Sequence, residues 1–247
     1  MMKKTLVASA LSVGLALVGM AAPAQAASDD SLSVQSVKVS AEPLKSSGKS
    51  KITVTVDFYG TSRYSIDAPD VTLESDNGYG WEYFELKATS RGDIWRGTTY
   101  VDNSNPVGKW WVGVDAWADF ANGNYDYISD DYESTFYLKR STQISLNATP
   151  EPVKKGSAIS VVGTVKALKV PSYGSAYYTP FSGRTVKLYF DPTGSSPKRY
   201  AGSVTTNSHG KYSKRFTAKQ DGVWSATYAG NSLYASHVST GDFVDVR

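Results

Sequence analysis

Cysteine is absent from the 247 residues, and histidine nearly so, with two. The first absence removes disulfides, thiolate metal sites and thiol nucleophiles together, and leaves each folded unit to be held by packing alone. The second leaves little for general-base or metal chemistry. His209 sits in Ser-His-Gly, a turn, and His237, in Ala-Ser-His-Val, has no carboxylate beside it in the chain. No Gly-x-Ser-x-Gly elbow, no histidine pair at ligand spacing and no glycine-rich phosphate loop occurs. A carboxylate pair for glycoside hydrolysis needs spatial proximity, and no pair is singled out by the order of residues. The expectation is a protein that is not an enzyme, with no catalytic residue, no metal site and no cofactor. Beyond the first 26 residues no apolar run is long enough to span a bilayer, and no long stretch has the periodicity of a helix.

What is present begins with an export signal. Lys3 and Lys4 supply a positive end, Thr5 to Met20 an apolar stretch, and Ala24-Gln25-Ala26 a small-residue cleavage pattern. Residues 1–26 are thus expected to be a cleaved signal peptide, and the localisation secreted, extracellular or cell-wall associated. The remaining 221 residues suffice for two domains. Their abundance of Tyr, Ser, Thr, Val and Gly points to an all-β chain.

One order of events occurs twice. Val37 and Val39 precede Glu42-Pro43-Leu44-Lys45, a turn at Gly48, and Ile52, Val54 and Val56 on one strand face. Ile144 and Leu146 precede Glu151-Pro152-Val153-Lys154, a turn at Gly156, and Ile159 and Val161. Pro43 and Pro152 are 109 positions apart, and Trp110 of Gly108-Lys-Trp110 lies 114 positions before Trp224 of Gly222-Val-Trp224. Two landmarks at nearly one offset indicate a tandem duplication, with a unit too long for a solenoid repeat and suited to a sandwich. The boundaries read as 27–139 for the first domain and 140–247 for the second. Candidate strands in the first lie near 70–74, 81–88, 95–101, 109–120 and 134–138. In the second they lie near 143–147, 158–167, 185–190, 199–205, 211–217, 223–228 and 243–246. Residues 171–180 read as a loop.

Within 141–247, the turn Asn207-Ser-His-Gly210 leads to Tyr212 and Phe216. Gly222-Val-Trp224 opens an alternating strand, and Tyr228-Ala-Gly-Asn231 with Tyr234 follows. This succession resembles the bacterial immunoglobulin-like repeats of secreted and surface proteins. The resemblance implies two tandem immunoglobulin-like β-sandwich domains after the signal peptide. It also implies a non-enzymatic binding or display role outside the cell, in association with cell wall or glycan. The alternative from another class is an extracellular carbohydrate-active enzyme or inhibitor subunit.

Charge divides the chain. Residues 27–138 hold 9 Lys and Arg against 18 Asp and Glu, a net −9, and residues 141–247 hold 13 against 5, a net +8. Such polarity bears on partners rather than on fold. The candidate partners are an anionic cell-wall polymer, a glycan or a protein ligand. Nucleic acid is not expected, because the cations are scattered without a recognition motif.

The sharpest local pattern is Trp110 to Phe120. Trp110, Val112, Val114, Ala116, Ala118 and Phe120 form one apolar face, while Trp111, Asp115, Trp117 and Asp119 share the other. Two indoles about 20 Å apart, interleaved with carboxylates, suit stacking on sugar rings or docking a partner. These four are the candidate ligand-binding residues; packing of the indoles beneath a loop is the competing explanation. Asp115, Asp119, Asn122, Asn124, Asp126, Asp130 and Asp131 could offer hard oxygen ligands. Their spacing is not that of an EF-hand, and no metal is assigned to them.

Overall fold

The computed structural model describes residues 32–59 and 64–247, so the expected signal peptide, 1–26, lies outside the described residues. The chain divides by its internal contacts into two compact units, with the boundary between Lys139 and Arg140. Every regular element among the described residues is a β-strand, and no helix there is long and apolar enough to cross a membrane. Each unit is an immunoglobulin-like sandwich of two antiparallel sheets.

The first unit contains β1 (Ser33–Ala41), β2 (Ser50–Tyr59), β3 (Tyr64–Ser75), β4 (Trp81–Glu85), β5 (Lys87–Ala88), β6 (Ile94–Val101), β7 (Gly108–Phe120) and β8 (Tyr125–Leu138). One sheet runs β1-β2-β6-β5 and the other β4-β3-β7-β8. Period-two alternation decides which face is inside. Ile52, Val54, Val56 and Phe58 of β2 are buried, as are Val71 and Leu73 of β3 and the whole even-numbered row of β7 from Trp110 to Phe120.

Three irregularities hide strands from a simple alternation count. The slip in β1 is a bulge between Val34 and Ser36. In β3, which starts well before the expected 70, Asp67 pairs with Trp117 and Asp70 with Asp115, so Ala68 and Pro69 together oppose Ala116. Ala68 takes a φ of 38° there, a left-handed conformation that β-bulges tolerate. The bulge reverses the parity of the strand, which is why Ile66 and Val71 can both lean inward. A third shift, between Val112 and Val114, lies opposite residues 130–134 of β8. That strand therefore runs back to Tyr125 and not merely to the expected 134.

The second unit contains β9 (Thr142–Ile144), β10 (Asn147–Thr149), β11 (Ala158–Lys169), β12 (Tyr177–Pro180), β13 (Thr185–Pro192), β14 (Arg199–Thr205), β15 (Lys211–Thr217), β16 (Gly222–Tyr228), β17 (His237–Val238) and β18 (Asp242–Val244). In one sheet β11 is flanked by β9 and β10 and by β12 and β15; the other runs β14-β13-β16, with β17 and β18 on β16. The expected strand at 143–147 is broken at Ser145-Leu146. The expected loop at 171–180 ends as a strand, because Lys166–Lys169 extends past the end of β15 and offers β12 an open edge. Trp110 and Trp224 are each the third residue of their strand. Both β7 and β16 lie between a central partner, β3 or β13, and the closing strands of the unit. Trp224 packs with Phe190 and Phe216 at ring-centroid distances of 4.9 and 4.5 Å.

Candidate functional site

The outward face of the β4-β3-β7-β8 sheet carries a field of aromatic rings and carboxylates. Register places them in rows. Trp81, Glu74, Trp111 and Thr135 form one. Glu85, Asp70, Asp115 and Ser129 form another. Asp67, Trp117 and Tyr127 form a third, and Ser65, Asp119 and Tyr125 a fourth. The rings are largely open to solvent: Trp81 is 62%, Tyr83 51%, Trp117 49%, Tyr125 72% and Tyr127 43% exposed.

The aromatic rings fall into two groups. Trp81 and Tyr83, two residues apart on β4, stack nearly parallel, with centroids 6.1 Å apart and planes 8° from each other. Trp117 packs against Tyr127 at 4.5 Å and Tyr125 at 5.9 Å. Between the groups lie two tyrosine–aspartate pairs. The Tyr83 hydroxyl donates to Asp70 Oδ2 at 3.1 Å, and the Tyr127 hydroxyl donates to Asp115 Oδ1 at 3.0 Å.

Asp70 and Asp115 are direct cross-strand partners, an arrangement that like charges ordinarily disfavour. Burial pushes the Asp70 carboxyl above its ordinary value of 3.8; the Tyr83 hydrogen bond opposes this, and the charges of Asp115 and Glu85 add to it. Asp70 Oδ1 is buried without a hydrogen-bond partner. The same bond to Asp70 is the first cause holding the Tyr83 phenol above its ordinary range. A raised folded-state carboxyl means that ionisation costs stability. That penalty is complete above the folded pKa and vanishes below the ordinary value of 3.8. Asp70→Asn should therefore stabilise the first unit at pH 7, by less than about 1 kcal/mol because solvent screens this half-buried face. The gain should disappear at about pH 3. Denaturant midpoints measured at the two pH values check both parts.

The four sequence-derived candidates do indeed share this face, but their surroundings differ. Trp111 is half-buried: its indole N–H donates to Asp76 Oδ1 at 3.0 Å, and Lys109 Nζ lies 3.5 Å from its ring centroid. Packing accounts for that indole. Trp117 is an open ring packed against Tyr125 and Tyr127 on the same face. Asp115 lies at the centre of the face, whereas Asp119 is at its far end, opposite Tyr125. Of the oxygen-rich residues nearby, Asp126 accepts from the backbone N–H groups of Leu32 and Tyr127, and Asn122 accepts from that of Asn124. The side chains of Asp130 and Asp131 lie outside the described set.

Trp81, Tyr83, Asp70, Tyr125 and Tyr127 complete the face and were not singled out from sequence. A signal existed in Trp81-x-Tyr83-x-Glu85 and Tyr125-x-Tyr127, which alternate as the outward residues of β7 do. Only strand pairing brings them together.

The chain matches no protein-family model, and no curated protein matches it. Among solved structures it is similar to a tetra-tandem repeat from the extending region of a large adhesion protein, at 13% identity and a TM-score of 0.30 over 84% of this chain. It spans 47% of that longer chain. It is also similar to the D0-D1 domain of intimin, at 14% identity and a TM-score of 0.27, covering 85% of this chain and 98% of that one. A chimeric titin Z1Z2 tandem is similar at 14% identity and a TM-score of 0.27, over 80% and 91% of the two chains.

Proposed function

We propose that this chain is a secreted, non-enzymatic binding protein whose first unit holds a neutral glycan on the outer face of β4-β3-β7-β8. The observation that carries the reading is the placement of open rings, Trp81 and Tyr83 on one side and Trp117 and Tyr127 on the other, around the acceptor Asp115. Sugar rings stack on aromatic planes and donate hydroxyl hydrogen bonds to carboxylates, so one flat face can supply both contacts. Export is supported by the residue pattern of 1–26. A non-catalytic role is supported by the neighbours of Asp70 and Asp115, since each carboxylate is held by a tyrosine hydroxyl. The net +8 of residues 141–247 supports a separate contact with an anionic cell-wall polymer.

Arrays of neutral oligosaccharides built from β-linked hexoses and N-acetylhexosamines, together with isolated cell walls, test the reading. The double change Trp117→Ala with Tyr127→Ala is expected to weaken binding at least about tenfold. Stability should fall by no more than about 1 kcal/mol per lost cross-strand pair. Unchanged affinity would overturn it. A cationic ligand is the second reading, favoured by the Asp70–Asp115 pairing. Its binding would fall steeply as salt rises, whereas that of a neutral glycan would not.

A further inference from the structure

The second unit has an opening of its own. Among the described residues β14 pairs only with β13, and β15 only with β11, and the free edges of the two sheets meet at one side of the sandwich. Where the start of β14 meets the end of β15, a pocket of about 350 Å³ enters the core, with Ile159, Phe190, Phe216 and Trp224 among its walls and Arg199 and Lys219 among its polar lining. The equivalent region of the first unit is closed. There the Trp110 indole is fully buried, its N–H donates to Pro106 O at 3.0 Å, and Gly80 lies so close that an added Cβ would sit 2.4 Å from the ring.

The charged side chains that line the pocket, Arg199 and Lys219, are both cations. Among the described residues no carboxylate lines the pocket. The Arg199 guanidinium carbon lies 5.4 Å from the Phe190 centroid and Lys214 Nζ 5.9 Å from that of Phe216. A second, polar recess of about 340 Å³ shares Lys219 with the pocket and adds Lys155. The one acid lining it, Asp221, already accepts from the Val246 N–H at 2.7 Å through Oδ1.

We infer that this opening is a binding site for a small amphipathic anion: a flat apolar body seated against Phe190, Phe216 and Trp224, and a carboxylate, sulfonate or phosphate group turned toward Arg199 and Lys219. The aromatic walls remove the body from water. The two exposed cations supply charge-assisted hydrogen bonds without a buried charge to desolvate. The volume lies at the small end of the range for ligand pockets. Nothing in this site involves the aromatic face of the first unit.

The test uses the full chain with 8-anilinonaphthalene-1-sulfonate as probe and N-phenyl-1-naphthylamine, the same body without the sulfonate, as its neutral counterpart. Saturable one-to-one fluorescence enhancement by the sulfonate is expected, accompanied by a shift of the Trp224 indole resonance. The neutral probe should bind about tenfold more weakly. Arg199→Gln with Lys219→Gln, both on the surface, should reduce sulfonate affinity about tenfold and leave the neutral probe unaffected. Failure of the sulfonate to saturate, equal affinity for the two probes, an unchanged double variant or an unmoved Trp224 signal would each overturn the inference.

Discussion

Trp110→Ala should destabilise the first unit by about 3–5 kcal/mol, the range for truncating a fully buried large aromatic. The indole is sealed on every side that the structure describes. Gly80 abuts its six-membered ring, Phe136 lies at a centroid distance of 6.1 Å, and Pro106 O accepts its N–H. Truncation leaves a cavity that β-sheet backbone cannot collapse to fill, and it orphans the Pro106 carbonyl. Trp224→Ala should fall at the lower end of that range, about 3 kcal/mol, since the Trp224 ring already borders an open pocket. Chemical denaturation followed by circular dichroism would resolve the two if the units unfold in separate transitions. Equal midpoint losses, or none for Trp110→Ala, would contradict the contrast.

Gly163→Ala is expected to cost the second unit about 3 kcal/mol, the upper end for overpacking a filled site. A Cβ at this position would meet Ser145 O at 2.0 Å and the Tyr212 hydroxyl at 2.4 Å. Neither neighbour can move freely. The Tyr212 hydroxyl donates to Ser145 O at 2.6 Å, and the Ser145 N–H donates to Thr164 O at 3.0 Å. Ser145 also stands at the break between β9 and β10, so displacing it disturbs both pairings with β11. Thermal unfolding measured beside Gly183→Ala provides the comparison. Gly183, at φ 69° in open space, should show only the cost of a left-handed alanine, about 1–2 kcal/mol. Similar melting temperatures for the two variants would show that the contact at Gly163 relaxes.

The parts of the fold legible in the sequence were those governed by unbroken alternation. β2, β7 and β16 show their buried rows directly, and the recurrence of Gly-x-Trp led to corresponding strands of two sandwiches. Bulges obscured two further strands. The extra residue at Ala68-Pro69 shifts the parity of β3, and the irregularity opposite Val112–Val114 hides the first half of β8. The site was legible in proportion. Trp117 and Asp115 could be assigned to an outward face because β7 alternates cleanly. Their tyrosine neighbours could not, because β4 and β8 join them only through pairing that residue order does not encode. Trp111 shows the complementary limit: alternation gives the side of a sheet, not whether Asp76 and Lys109 will cover the ring there.

The most direct test of the proposed binding face is to follow the six indole N–H signals of the nitrogen-15-labelled chain while adding the neutral oligosaccharide bound most tightly on the array. The account predicts saturable shifts of the Trp81 and Trp117 signals, while Trp110 and Trp224 stay in place. Shifts confined to Trp224, or none at Trp81 and Trp117 under saturating ligand, would contradict it.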